Sequence, residues 1–115
     1  MHKFPRRERL TRRSEYLKVY EAGKKQVDQA FICYVHAQLG HGRQFGMAVS
    51  RKVGGAVVRN RVKRYLREIY RRHRGQLSSD LCTVVIARPA SARLTFHECE
   101  TALWRLLQRG GAIGE

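Results

Sequence analysis

Carboxylates are scarce in this sequence: nine acidic residues stand against 24 lysines and arginines, and only Asp28 and Asp80 are aspartates. Metal-dependent hydrolysis needs clustered carboxylates, and general acid–base hydrolysis needs a pair of them or a histidine partner. So few acids argue against such chemistry on the chain itself. Glu98 and Glu100 are close in sequence but fall on different sides of a helix, and Glu98 reads as a helix cap. Apolar runs are short as well, none reaching the roughly eighteen residues of a membrane span. The beginning MHKFPRRERL lacks the apolar centre of a secretion signal, so the expected location is cytoplasmic.

Cysteine is equally sparse. Cys33, Cys82 and Cys99 are odd in number, far apart and each inside an apolar segment, which suits small buried hydrophobes better than a disulfide framework or a zinc pair. The five histidines show no H-E-x-x-H spacing, and Gly40, Gly42 and Gly46 miss the dinucleotide-binding pattern because position 45 is Phe. Neither a bound metal nor nucleotide-driven activity is expected.

What the chain does have is positive charge. A formal net charge of +15 on 115 residues strains a compact domain unless a polyanion relieves it. Eighteen of the cations are arginine and six lysine, and guanidinium both forks onto phosphate and stacks on bases. At this length one domain over 1–115 is expected, with residues 1–12 as a mobile basic arm.

Along the chain, Tyr16, Leu17, Val19 and Tyr20 predict a short helix over 13–22 that stops at Gly23. AFICYVHA, residues 30–37, predicts a strand, and Leu39 to Arg43 a turn. Residues 44–50 alternate large Phe45, Met47 and Val49 with small Gly46, Ala48 and Ser50. The small face suits either a platform for a flat base or coverage by one of the chain's own helices. Val58 and the following RNRVKRYLREIYRR, residues 59–72, place Val58, Val62, Tyr65, Leu66, Ile69 and Tyr70 on one helical stripe, with Arg59, Asn60, Lys63, Arg64, Arg67 and Arg71 opposite. Such a basic face, about 20 to 28 Å long, can meet several phosphates. LCTVVIA, residues 81–87, predicts a strand covered on both sides, and Thr95-x-x-Glu98 opens a last helix. Tyr16, Tyr20 and Tyr34, with Arg51 and Lys52, suit either base stacking or plain core packing.

The stretch FGMAVSRKVGGAVVRNRVKRYLRE, residues 45–68, resembles the signature of the bacterial ribonuclease P protein component, centred on Arg59, Asn60 and Arg61. RERLTRRSEYLKVYEAGK, the strand ending in Tyr34 and the strand between Asp80 and Arg88-Pro89 extend the resemblance over nearly the whole chain. It implies an α+β fold, a two-layer sandwich of order α-β-β-β-α-β-α like the second domain of ribosomal protein S5, with a left-handed crossover. It also implies the accessory subunit of an endoribonuclease whose catalytic RNA removes the 5′ leader from precursor transfer RNA. Magnesium would be held chiefly by that RNA, with no metal or catalytic group on the protein.

Carried over by position, Arg59, Asn60, Arg61, Lys63, Arg64 and Arg67 would contact the catalytic RNA. Tyr16, Tyr20, Tyr34, Arg51 and Lys52 would line the leader cleft. The family often has phenylalanine at the first two of these positions, so Tyr16 and Tyr20 each add a hydroxyl that needs a partner. Where Arg51 and Lys52 stand it often has two lysines. The partners implied are the catalytic RNA and precursor transfer RNA, without a membrane or a required protein partner. Two alternatives remain: a structural RNA-binding protein of the ribosomal kind without a leader cleft, and a membrane-surface amphipathic helix.

Overall fold

The strongest apolar segment forms the middle of the sheet. In the computed structural model, which describes residues 5–38 and 42–112, the elements run α1 (Arg13–Ala22), β1 (Lys24–Val27), β2 (Phe31–Ala37), β3 (Gln44–Ala48), α2 (Ala56–His73), β4 (Leu81–Ala87) and α3 (Phe96–Arg109). The sheet order is β1-β2-β4-β3. β4 pairs antiparallel with β2, Cys33 opposite Val85, and parallel with β3, Gly46 opposite Val84. A strand with neighbours on both edges and cover on both faces is a near-continuous apolar run, as LCTVVIA is apart from Thr83. The expected α+β order is the observed one. Of the turn expected over Leu39 to Arg43, positions 39–41 lie outside the described residues.

Alternation along the strands sorts side chains between two layers. Phe31, Cys33, Val35 and Val85 join the main core beneath α2 and α3, which contribute Val62, Leu66, Ile69, Cys99, Leu103 and Leu106. Cys82 and Val84 point to the opposite face and pack with Val19 of α1 and Leu10. That second face is covered only in part, which leaves room beside α1.

Two helix ends follow from local chemistry. Thr95 Oγ1 accepts from the Glu98 N–H at 3.2 Å while Glu98 Oε1 accepts from the Thr95 N–H at 2.9 Å, the reciprocal cap expected for α3. At the end of α1, Gly23 has an ordinary φ of −79°. A Cβ there would lie 2.6 Å from the Val19 carbonyl oxygen, so glycine is required by close approach and not by a left-handed turn.

The basic arm expected over residues 1–12 is, from Pro5 onward, docked on the body. Residues 6–8 form a single helical turn, and the Leu10 N–H donates to Phe45 O at 3.0 Å on the outer edge of β3. Glu8 is buried and accepts from Tyr70 Oη at 2.6 Å and from Arg74 Nε at 2.9 Å, with a second contact to the same guanidinium. Burial alone would raise the Glu8 carboxyl. The hydrogen bonds from Arg74 and Tyr70 and the nearby Arg74 and Arg43 charges outweigh it, leaving the pKa below the ordinary value. The anchor ties the N-terminal segment to the end of α2, more than sixty residues away, a pairing that no local pattern announces.

The three cysteines are free and buried, as expected. Burial pushes the Cys33 and Cys82 thiols up to about 12 and that of Cys99 to about 11, so they stay protonated and unreactive at neutral pH.

Because its folded pKa is depressed, Glu8 contributes stability above its unfolded pKa that is lost as pH falls through the folded one. Glu8→Gln is therefore expected to lower stability at pH 7 by about 1–3 kcal/mol. In urea unfolding, the gap between the variant and the parent should close in acid; a gap independent of pH would contradict the anchor.

Candidate RNA interface

The residues expected to hold a single strand divide into a cluster and two outliers. Tyr16 and Tyr20 stand four residues apart on one face of α1, with ring centroids 6.4 Å apart, and Tyr20 lies 5.0 Å from Tyr34 of β2. The three rings form a row along the partly covered face of the sheet. A groove of about 410 Å³ opens beside it, lined by Arg13, Tyr16, Leu17, Tyr20 and Ala48 among others. Arg51 and Lys52 are exposed in the turn after β3 and are not among the residues lining this groove. Two cations stand at the tyrosine row, Arg13 in the groove wall and, from β1, Lys25, whose Nζ lies 5.9 Å from the Tyr34 ring centroid.

The Tyr16 hydroxyl has its partners. It accepts from the Met47 N–H at 3.3 Å and lies within donating reach of the Leu10 and Met47 carbonyl oxygens at 3.3 and 3.4 Å. These are outward-facing groups of β3 and of the segment docked beside it, so the phenol plugs an edge that would otherwise be open to strand addition. Burial raises the phenol above the ordinary tyrosine value. The small face of β3 is thus covered by α1 at Gly46, where a Cβ would sit 2.8 Å from three Tyr16 ring and hydroxyl atoms. Ala48 remains in the groove wall.

The basic helix presents its cations unevenly. Asn60, Arg64 and Arg67 are exposed. Arg59 turns back so that its Nε donates to Gly54 O at 3.1 Å. Arg61 turns inward, one terminal nitrogen donating to Ala92 O at 2.6 Å and so fastening the turn after β4. Lys63 and Arg67 face the other way and border a second groove of about 440 Å³, together with Arg9, Thr11, Tyr16 and Phe45. Tyr16 is therefore a wall of both grooves, and Lys63 and Arg67 lie on one continuous surface with Tyr16 and Tyr20.

Arg9, Thr11, Arg13 and Lys25 were not singled out as site residues from the sequence. Arg9 and Arg13 read as members of a loose arm or helix start, and Lys25 belongs to a strand whose sequence KKQV carries no strand pattern. Among the described residues no three His, Cys, Asp or Glu side chains gather as metal ligands. The acids have other commitments: Asp28 Oδ1 accepts from the Ala30 and Phe31 N–H groups, Glu68 pairs with Arg71 and Arg72, and Glu8 with Arg74. The apolar stripe of α2 is occupied by the sheet, Val62 and Leu66 being fully buried, so the membrane-surface alternative has no free apolar face on this helix. No helix among the described residues is long and apolar enough to cross a membrane.

Comparison with known proteins identifies the family. The Ribonuclease P family model matches residues 4–111. The chain belongs to the ribonuclease P protein family. It is similar to the ribonuclease P protein component of Dictyoglomus thermophilum, 36% identical over 115 residues that cover 97% of this chain and 95% of that one. It also resembles that of Desulfovibrio desulfuricans, 44% identical over 109 residues covering 91% and 84%. Among solved structures, the RNase P protein from Thermotoga maritima is 33% identical with a TM-score of 0.78, covering 89% of this chain and 96% of that one. The Staphylococcus aureus protein shares the fold with a TM-score of 0.86 at 24% identity, covering 93% and 98%. Membership of the ribonuclease P family carries RNA binding, transfer RNA 5′ processing and partnership with ribonuclease P RNA.

If Gly46 is bare so that Tyr16 can lie on it, Gly46→Ala must displace the ring. The Tyr16 phenol should then titrate closer to the ordinary tyrosine value, as read by NMR. Tyr16→Phe, which keeps the ring but loses the edge contacts, should cost about 0.5–1.5 kcal/mol. An unshifted Tyr16 titration in the alanine variant would contradict the packing.

Proposed function

We propose that the chain, as protein subunit of the ribonuclease P ribonucleoprotein, grips the 5′ leader of precursor transfer RNA in the tyrosine groove and docks on the catalytic RNA through α2. The observation that carries this reading is the row Tyr16, Tyr20 and Tyr34, whose first two rings line the groove, with Arg13 in the groove wall and Lys25 beside the Tyr34 ring. Aromatic faces with adjacent cations hold successive bases of a single strand without reading their sequence. A leader that differs from one precursor to the next calls for that kind of grip.

On α2, Asn60, Lys63, Arg64 and Arg67 would meet phosphates of the catalytic RNA, releasing counterions and making assembly steeply salt-dependent. Arg59 and Arg61 act in this reading mainly as struts, holding the start of the helix and the turn after β4. Arg51 and Lys52, at the exit of β3, would meet the RNA backbone beyond the groove. Holding leader and catalytic RNA on one surface fixes the leader in register with the RNA active site, so that orientation replaces part of the entropic cost of the encounter.

Magnesium, which activates the attacking water in this reading, would be held chiefly by the RNA. Among the described residues, Asp28 is engaged by backbone N–H groups and Glu8 and Glu68 by arginines, which leaves these three acids committed to the fold. The protein's contribution is positioning and the screening of phosphate repulsion, which lowers the magnesium concentration needed for productive binding. No further protein partner enters this scheme, and its setting is the cytoplasm.

Precursor cleavage at low magnesium with a bacterial ribonuclease P RNA should be stimulated by this chain; no stimulation would refute the proposal. Tyr20→Ala is expected to weaken precursor binding by about 5- to 100-fold, one stacked base being worth about 1–3 kcal/mol, while affinity for the RNA subunit is kept. Lys63→Ala with Arg67→Ala should instead weaken assembly with the RNA and reduce the salt slope by about two. Equal losses of both affinities in Tyr20→Ala would mean that no separate leader groove exists.

A further inference from the structure

On the side of the molecule away from the tyrosine groove, a second set of rings and cations follows the seam between α2 and α3. Tyr65 and Phe96 meet edge to face at 5.5 Å, Arg64 lies 5.8 Å from the Tyr65 centroid and Arg72 lies 4.9 Å from that of Phe96. At the end of the seam His73 and Trp104 approach to 4.7 Å with planes 34° apart. They open into a cavity of about 340 Å³ that Glu100, Thr101, Arg105 and Gln108 also line.

The polar atoms of this cavity are held in place. His73 bridges Gln76 Oε1 and Glu100 Oε2, each at 2.9 Å, so its ring cannot swing away from Trp104 without losing two contacts. Arg72 lies 3.8 Å from the same Glu100 oxygen. The other carboxylate oxygen, Oε1, has His97 at 3.9 Å, beyond hydrogen-bond reach, and so remains an acceptor. Arg105, exposed at the rim, adds a cation. An indole face, a carboxylate acceptor and a guanidinium around one cavity match three parts of a nucleotide: the π-face of its base, an exocyclic amino group and its phosphate.

We propose that the cavity at Trp104 is a second RNA contact, one that takes a single unpaired nucleotide whose base carries an amino group. The base would stack on Trp104 and donate to Glu100, with its phosphate against Arg105. The occupant is RNA because the seam leading to the cavity displays Arg64 and Arg72 among its rings, and stacking surfaces interleaved with cations are what unpaired RNA binds. The site rests on the proposed RNA partner but is independent of the tyrosine groove. It would give the protein RNA contacts on both sides.

Trp104 is the only tryptophan in the chain, so its emission reports the cavity alone. Titrating the intact protein with an adenosine hexamer should quench that emission, and Tyr20→Ala, which disables the leader groove, should leave the quench in place. Arg105→Glu should weaken the hexamer concentration dependence about tenfold, and Thr101→Glu, an exposed change at the rim, should act in the same direction. Unchanged emission at saturating hexamer, or a quench abolished by Tyr20→Ala but not by Arg105→Glu, would overturn the site. In the assembled holoenzyme, a quench on adding the RNA subunit assigns the nucleotide to that RNA, and one on adding precursor assigns it to the substrate. No change on either addition would equally overturn the proposal.

Discussion

Everything the surface can do depends on how firmly α2 is seated. Its cations repel one another, but like-charge neighbours on an exposed helix cost only about 0.2–0.5 kcal/mol a pair. Burial of Val62, Leu66 and Ile69 against the sheet contributes about 1.5–3 kcal/mol each. The apolar seam therefore wins, and the repulsion is relieved further where Glu68 pairs with Arg71 and Arg72 and where Glu8 holds Arg74. The helix can display arginines to solvent because its other side contributes several times what their proximity costs.

The same packing decides where the aromatic groove lies. β3 is an edge strand, and its outer polar groups are taken by Leu10 and by the Tyr16 hydroxyl. Gly46 lets the Tyr16 ring approach the strand closely. The hydroxyl that distinguishes tyrosine from phenylalanine here serves the fold, while the ring faces both grooves. A substitution at Tyr16 thus mixes stability with binding, whereas Tyr20 reports binding more cleanly.

Much of this was legible in the sequence because the relevant signals are local. The stripe on α2, the apolar run of β4, the Tyr16-to-Tyr20 spacing and the Thr95 cap each lie within a few turns of chain, and each is found where the pattern places it. β1 was not legible from its residues: Lys24–Val27 is a mostly exposed edge strand paired on one side only, so neither alternation nor apolar content marks it. The docking of residues 5–10 rests on Glu8 finding Tyr70 and Arg74, and the inward turn of Arg61 rests on a carbonyl thirty-one residues later. Family position put Arg61 with the RNA contacts and Arg51 and Lys52 in the cleft; that Arg61 also braces the turn after β4, and that Arg51 and Lys52 stand in the turn after β3, only tertiary geometry could reveal.

The central claim is a division of labour on one continuous surface, with the leader on the tyrosine row and the catalytic RNA on α2. Placement of a cross-linker tests it most directly, since the three native thiols are buried and protonated and will not compete for a thiol-directed probe. In the complex of protein, ribonuclease P RNA and precursor, a photo-reactive group on Leu17→Cys, beside the tyrosine groove, should attach to leader nucleotides. The same group on Asn60→Cys should attach to the catalytic RNA. Attachment of both probes to the catalytic RNA, with the leader untouched, would contradict the account.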